Sequence, residues 1–149
     1  MPADHKQIAT LHAKGFARGW STGEIAALDS EASVTTFVVR CEGEGDAEAC
    51  GFVMLRQAAD EAEILSIAVD PDTRGGGFGH ALMGAAIRHC QSERFARLIL
   101  EVDAGNVPAV ALYQRLGFRE TGRRVGYYAN DAEPAAARHD ALVMELSLL

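Results

Sequence analysis

The segment that decides the fold is residues 62–82, whose sequence is AEILSIAVDPDTRGGGFGHAL. Its first eight residues are mostly apolar, which predicts a central strand buried on both faces of a sheet. Asp70 and Pro71 end this strand, because proline cannot donate a backbone hydrogen bond to a sheet. A glycine-rich turn follows and leads into a helix that we expect to run to about Ser92. A strand, a glycine turn and a helix in this order indicate an α/β domain.

The glycine-rich turn, RGGGFG at residues 74–79, is a candidate anion site. The first N–H groups of a helix have no partner inside the helix, and the helix dipole favours negative charge there. Glycine lets the backbone approach phosphate oxygens because no Cβ is in the way. The sequence of this turn matches neither the Walker A motif nor the dinucleotide fingerprint G-x-G-x-x-G. It does match the pattern R-x-x-G-x-G, with Arg74, Gly77 and Gly79 in the fixed positions. The alternative interpretations are a mobile glycine turn and, for Arg74, a solvated turn residue.

The rest of the chain predicts one mixed α/β domain with the order ααβββαβαββ. The S-x-x-E pattern at residues 21–24 is a capping box that begins a short helix through Leu28. Asn106 is a good N-cap for a helix at residues 107–116, and Gly117 suits the position after its end. The acidic stretch 42–48 predicts a hairpin loop. We further predict a helix at residues 4–16 and strands at residues 33–40, 51–56, 62–69, 97–102, about 118–124 and about 140–146.

Composition and charge exclude several classes of protein. The 149 residues are 48% hydrophobic and 23% charged, unlike a disordered chain, a collagen-like repeat or a disulfide-stapled mini-protein. The net charge of −7 argues against a general nucleic-acid binder. Residues 1–73 hold 5 basic and 13 acidic residues, whereas residues 74–124 hold 8 basic and 4 acidic residues, a net +4. This division suggests two differently charged ligands, with random surface charge as the alternative.

The cysteines and the apolar runs indicate a cytoplasmic protein. No stretch approaches the roughly 18 apolar residues of a membrane span, and the N-terminus has no apolar signal core. Cys41, Cys50 and Cys90 contain no C-x-x-C pair, which fits reduced thiols. Cys41 and Cys50 could lie close in a hairpin, but we expect no functional disulfide. The five histidines show no metal-ligand spacing, so we expect no metal.

Two stretches resemble motifs of the GNAT superfamily of acetyl-CoA-dependent N-acetyltransferases. Residues 62–82 resemble its pyrophosphate-binding motif, and residues 100–118, LEVDAGNVPAVALYQRLGF, resemble its second motif. Within the superfamily the chain is most similar to the bacterial ribosomal-protein-alanine N-acetyltransferases. The residues shared with that family are Glu101 within an L-E-V motif, Asn106, Tyr113 at the end of an A-L-Y motif, the L-G-F motif and the Tyr127–Tyr128 pair. In addition, FARGWS at residues 16–21 resembles the family's F-x-x-x-W-S motif. The resemblance implies a single GNAT-like domain over residues 1–149, with a mixed, mostly antiparallel sheet flanked by helices.

The resemblance also implies catalytic roles. Glu101 lies in the middle of an apolar strand and would be the general base, acting through water; the alternative is a strand residue whose side chain reaches solvent. Tyr113 would give a proton to the departing thiolate of coenzyme A, although an aromatic residue at this spacing is more often core. The cofactor would be acetyl-CoA, as a cosubstrate, and no metal. Its implied binding residues are Ile67, Ala68, Val69, Arg74, Gly75, Gly76, Gly77, Phe78, Gly79, His80 and Asn106.

The function implied is transfer of acetyl to a protein's N-terminal amine, for example the N-terminal alanine of a ribosomal protein with a basic tail. We expect direct transfer in a ternary complex, because Cys90 lies on an apolar helix face and is a poor nucleophile. No direct contact with nucleic acid or a membrane is expected. The alternatives are acetylation of a small-molecule amine and a non-catalytic acetyl-CoA-binding module. The sequence departs from the family's pattern at Asp103, at Pro108 and in residues 130–137, which leaves the identity of the acceptor open. Tyr127 and Tyr128 would either line the peptide channel or pack against the last strands.

Overall fold

The fold is built on a six-stranded sheet in the part of the chain that the computed structural model describes: residues 2–15, 20–41, 49–73, 76–128 and 139–148. The helices are α1 (Pro2–Gly15), α2 (Thr22–Asp29), α3 (Phe78–Ser92) and α4 (Val107–Arg115). The strands are β1 (Val34–Arg40), β2 (Ala49–Ala58), β3 (Glu61–Val69), β4 (Arg97–Asp103), β5 (Arg119–Tyr128) and β6 (His139–Ser147).

The strand order in the sheet is β1-β2-β3-β4-β6-β5. All neighbours are antiparallel except β3 and β4, which are parallel because α3 makes the crossover between them. The predicted mixed, mostly antiparallel sheet and its element order are confirmed. Two details differ: a 3₁₀ turn, Pro71–Thr73, follows β3, and β2 and β5 are longer than predicted. The hydrogen bond from the Asp72 N–H to the Asp70 carboxylate accounts for the turn, because such a bond favours a local bend over a strand.

Two hydrophobic clusters cover the two faces of the sheet. On one face, here called the α3/α4 face, Leu82, Met83 and Ala86 of α3 and Tyr113 of α4 pack on the strands. On the other, the α1/α2 face, Ile8 and Leu11 of α1 and Ile25 of α2 pack on β2 and β3. Cys90 of α3 belongs to the cluster on the α3/α4 face, so the prediction that it lies on an apolar helix face is confirmed. No helix among the described residues is long and apolar enough to span a membrane.

The connection between α1 and α2 is held by a buried histidine and a helix cap. His12 is 3% exposed, stacks on Trp20 with ring centroids 4.4 Å apart, and accepts the Trp20 backbone N–H at Nδ1, 3.0 Å away. Ser21 accepts the Glu24 backbone N–H at 3.1 Å, as the capping box predicts. Residues 16–19 of the FARGWS motif lie outside the described residues. Trp20 is fixed by this arrangement at the start of α2.

His12 makes folding stability depend on pH. Burial lowers the pKa of His12 below its usual value of about 6.5, against a smaller opposing effect of Glu24. Below pH ~6.5 the unfolded chain takes up a proton that the folded chain still excludes, so the free energy of unfolding falls as the pH falls. We expect the melting temperature to drop between pH 7 and pH 5, with a smaller drop in His12→Phe, which keeps a ring on Trp20. Equal slopes for the two proteins in thermal melts would contradict this.

Cys41 and Cys50 form a disulfide, so the expectation of reduced thiols is wrong for these two cysteines. The pairing of Arg40 with Ala49 at the end of the β1–β2 hairpin brings the next two residues together, with their Cα atoms 5.7 Å apart. The sequence predicted this proximity, but the cysteine spacing contained no signal for oxidation. Cys90 is the free cysteine and is buried in α3, where burial raises its pKa to about 11. Its thiolate is therefore disfavoured, in agreement with its exclusion as a nucleophile.

Candidate functional site

The site is an opening in the middle of the sheet, where β3 and β4 part. The two strands pair only at Glu61–Arg97, Ala62–Leu98 and Glu63–Ile99 among the described residues. Beyond these pairs β3 continues along β2 and β4 continues along β6, so each strand keeps a partner on its outer side only. Ile67, Ala68 and Val69, the predicted cofactor-binding strand, lie on the β3 side of this opening. Their inward-facing backbone groups are available to a ligand placed between the strands.

Glu101 lies on the β4 side of the opening and faces the α1/α2 side of the sheet. Leu100 and Val102, its neighbours, are buried in the α3/α4 cluster, and side chains alternate along a strand. The Glu101 side chain is 28% exposed, and its Oε2 is 3.8 Å from Nη2 of Arg124. This carboxylate is therefore half-buried and accessible from the α1/α2 side of the sheet.

Tyr113 lies on the opposite face, in α4. It is 5% exposed and packs against Phe118, with ring centroids 5.9 Å apart. Burial raises the pKa of Tyr113 to about 12, so the phenol stays protonated at neutral pH. Glu101 and Tyr113 thus lie on opposite faces of the sheet. Core packing and a chemical role are compatible for this tyrosine.

The predicted anion site lies at the N-terminus of α3. Gly77 is the N-cap residue with φ +80°, and no side chain among the described residues caps this helix end. A Cβ on Gly77 would meet nothing within 4 Å, so this side of the residue is open space. A Cβ on Gly79 would lie 3.5 Å from Leu112 Cδ2, which places the helix terminus beside α4 and Tyr113. Phe78 is half-buried and His80 is exposed, whereas Arg74 and Gly75 lie outside the described residues.

The space beside Gly77 suits a phosphate-bearing ligand. Uncapped first-turn N–H groups attract an anion, and the open side of Gly77 allows it to come close. On the other side, a Cβ on Gly76 would lie 3.1 Å from the Phe78 ring, so only glycine fits there without displacement. The residues present therefore fit the pyrophosphate that the motif predicts.

Residues 5–118 match the family model of the acetyltransferase (GNAT) family. The chain belongs to this family. Over 97 residues, 65% of its length, this GNAT-family chain is 39% identical to the [Ribosomal protein bS18]-alanine N-acetyltransferase of Escherichia coli strain K12. That match spans 63% of the E. coli enzyme's length. The predicted family is confirmed, and it is a family of acetyltransferases.

Solved structures of the GNAT family share the same architecture. The crystal structure of the ribosomal-protein-S18-alanine N-acetyltransferase from Escherichia coli superposes with a TM-score of 0.84 at 31% identity, covering 98% of this chain and 88% of that one. Arabidopsis thaliana NAA60, solved in complex with acetyl-CoA, has a TM-score of 0.82 at 18% identity, covering 98% of this chain and 94% of that one. The second likeness shows the fold alone.

Two further predicted positions in this GNAT domain have visible structural roles. The Asn106 side chain accepts the Ala109 N–H at 3.3 Å and caps α4, with Pro108 in the first turn, as predicted. Asp103 Oδ1 accepts the Gly105 N–H at 2.7 Å and stabilises the turn from β4 to α4. The carboxylate thus has a local function in the turn. Tyr127 and Tyr128 end β5, and residues 130–137 lie outside the described residues.

Sequence reasoning did not single out Arg124. This residue lies on β5, which is separated from β4 by β6. Arg124 pairs with Ala141, whose small side chain leaves room for the guanidinium to pass over β6 toward Glu101. The sequence contained an Arg-Arg pair in a predicted strand, but nothing in it gave the strand order that brings Arg124 to this carboxylate.

A metal centre finds no support in the described part of the chain. No group of three or more histidine, cysteine, aspartate or glutamate side chains there could hold an ion. The polar groups described above are instead a carboxylate, a phenol and helix N–H groups, a set suited to proton transfer and anion binding.

Proposed function

We propose that this chain transfers the acetyl group of acetyl-CoA to the N-terminal α-amine of a protein, with the N-terminal alanine of a ribosomal protein as the acceptor. The observation that carries the proposal is the opening between β3 and β4, with Glu101 on its β4 edge. Tyr113 is buried on the opposite face of the sheet. Similarity to an E. coli enzyme named for this reaction supports the acceptor.

On the acceptor side, Glu101 acts as the general base. A peptide α-amine has a pKa near 8, so most of it is protonated at neutral pH and must lose a proton before it attacks. Glu101 receives that proton through water, and the amine lone pair then forms the C–N bond to the thioester carbonyl carbon. The half-buried position of the carboxylate keeps it within reach of both solvent and the opening.

On the cofactor side, the chain binds the pyrophosphate at the α3 N-terminus and directs the thioester into the opening. The backbone along Ile67, Ala68 and Val69 binds the pantetheine arm and polarises the thioester carbonyl. When the C–S bond breaks, Tyr113 gives its proton to the leaving sulfur, whose pKa as a free thiol is about 8.5. The nitrogen loses its second proton to water as the amide forms, and the tyrosinate regains a proton from solvent, as its own pKa near 12 favours.

Tyr113→Phe should lower kcat on the order of tenfold to hundredfold at pH 7, because the leaving thiolate loses its proton donor. The dissociation constant for acetyl-CoA should stay within about twofold, since phenylalanine keeps the ring packed against Phe118. Stopped-flow turnover and isothermal titration calorimetry measure the two quantities. Near-normal kcat in a folded variant would contradict the role.

The acceptor is tested with wild-type protein and acetyl-CoA against a panel of peptides and small amines. Turnover with a peptide that begins with alanine and has a basic tail, and not with polyamines or amino acids, supports the proposal. A peptide of the same composition with a blocked N-terminus is the matched control and should be inert. Preference for a small amine would replace the protein acceptor, and acetyl-CoA binding without any turnover would indicate a binding module.

A further inference from the structure

One buried hydroxyl at the opening is unaccounted for. Ser66 in β3 is 6% exposed, and its Oγ makes no hydrogen bond with any residue in the described part of the chain. A buried hydroxyl without a partner costs stability, so native proteins seldom keep one without a purpose. Alanine in this position would avoid that cost, as it does two residues later at Ala68.

Ser66 follows a β-bulge that changes which way β3 faces. Met54 of β2 pairs with Ser66, but the next residue of β2, Leu55, pairs with Ile64, so Leu65 is an extra residue. Before the bulge, Ile64 is in the α3/α4 cluster. After it, Ser66 shares the α1/α2 face with its partner Met54, which belongs to that cluster. Bulges of this kind occur next to active sites, where they redirect a side chain.

The bulge brings Ser66 level with Glu101. The last pair between the parallel strands is Glu63–Ile99. Counted from that pair, Glu101 is two residues further along β4 and Ser66 is three residues further along β3. Because Leu65 is an extra residue in the bulge, Ser66 advances along the sheet by about the same distance as Glu101. Both side chains are on the α1/α2 face. A hydroxyl-bearing residue and a carboxylate residue therefore lie level with each other on the two edges of the opening, on the side from which the acceptor would enter.

We propose that Ser66 is a binding residue for the acceptor amine, whose N–H it accepts at Oγ while Glu101 takes the proton that leaves. This inference rests on the proposed function. Rotation of the Ser66 side chain between its staggered rotamers turns Oγ from the α1/α2 cluster toward the opening. The amine then has one N–H directed to Ser66 and another toward Glu101, which leaves its lone pair directed at the thioester carbon. Ser66 keeps its own proton throughout.

The test is Ser66→Ala, with Ser66→Thr as the matched variant that keeps a hydroxyl. Ser66→Ala should lower kcat/KM for the acceptor about tenfold, mainly through KM, because one hydrogen bond to the amine is lost. Its dissociation constant for acetyl-CoA should not change, and its melting temperature should equal or exceed that of the wild type. Ser66→Thr should retain most of the activity. In a Glu101→Gln background, Ser66→Ala should have less than its single-mutant effect, because both residues hold the same amine.

Two outcomes would overturn the inference. In the first, Ser66→Ala keeps kcat/KM within about twofold of the wild type for every acceptor that the wild type acetylates. In the second, Ser66→Ala weakens acetyl-CoA binding instead, which assigns the hydroxyl to the cofactor. Each assay uses both the alanine-starting peptide and a polyamine. If the wild type acetylates the polyamine alone, the proposed protein acceptor fails, while the role of Ser66 is still decided with the polyamine.

Discussion

Glu101→Gln should reduce kcat at pH 7 by about 10²- to 10³-fold while leaving the affinity for acetyl-CoA unchanged. The substitution keeps the shape of the side chain and removes its ability to accept a proton. Because the free α-amine has a pKa near 8, raising the pH to 9 supplies neutral amine from solution and makes the base less necessary. The deficit of the variant relative to the wild type should therefore shrink between pH 7 and pH 9.

Glu63→Gln is the matched control for Glu101→Gln. Glu63 is an exposed carboxylate on the same face of the sheet, in the last pair before the strands part. Its replacement should leave kcat within about twofold of the wild type. If Glu101→Gln retains near-normal turnover in a folded protein, the carboxylate is not the base, and the ion pair with Arg124 would be its only visible role.

Gly77→Val should weaken acetyl-CoA binding by more than about a hundredfold. Two effects combine: a branched side chain occupies the open space in front of the α3 N–H groups, and φ +80° is strained for any residue with a Cβ. The strain lowers stability, whereas the side chain blocks the approach of phosphate. Calorimetry with acetyl-CoA measures the binding, and thermal unfolding measures the strain.

Gly117→Ala separates these two effects. Gly117 also has a positive φ, +101°, but it follows the end of α4, where its Cβ would meet Leu146. This variant should lose stability and keep the affinity for acetyl-CoA. Gly77→Asn is a second control for backbone strain. It also adds a side chain at this position, but asparagine tolerates the left-handed region better than valine does. Unchanged affinity in a folded Gly77→Val protein would exclude the α3 terminus as the cofactor site.

Local signals in the sequence predicted most of the fold. The capping box at Ser21, the N-cap Asn106 and the helix-ending Gly117 each fix a helix boundary through a short-range hydrogen bond or a backbone angle, and all three are present. The strands were found for the same reason, since apolar runs bounded by turns are local features. The 3₁₀ turn after β3 is shorter than any periodic pattern, and it was missed.

The candidate site was only partly predictable, because part of it depends on contacts between distant segments. Glu101 and Tyr113 were located through a motif, and their placement on opposite faces follows from alternation along β4 and from the packing of α4. The partner of Glu101 was not predictable, because Arg124 reaches it across β6. Ser66 is visible in the sequence as the one hydroxyl residue in the apolar run 62–69. Its lack of a hydrogen-bond partner depends on the tertiary structure and could not be predicted.

The net positive charge of residues 74–124 is weaker support for a negatively charged ligand than the sequence alone suggests. The +4 of residues 74–124 includes Arg97, which pairs with Glu61 and Glu145, and Arg123, which pairs with Glu120 and Asp140. Both arginines form ion pairs with carboxylates, and most of these carboxylates lie outside residues 74–124. The charges of these arginines are therefore not available to bind a phosphate. Attraction of a phosphate by this fold therefore depends more on the α3 N-terminus than on the net charge of the segment.

The parting of β3 and β4 gives this sheet two interior edges in addition to its outer ones. An unpaired strand edge is a template for pairing with another extended chain, which is why natural sheets protect their edges. In this protein the interior edges face each other across a gap that another molecule's extended segment could enter. We therefore expect the protein to be more prone to self-association when the gap is empty, and a molecule bound in the gap to suppress aggregation.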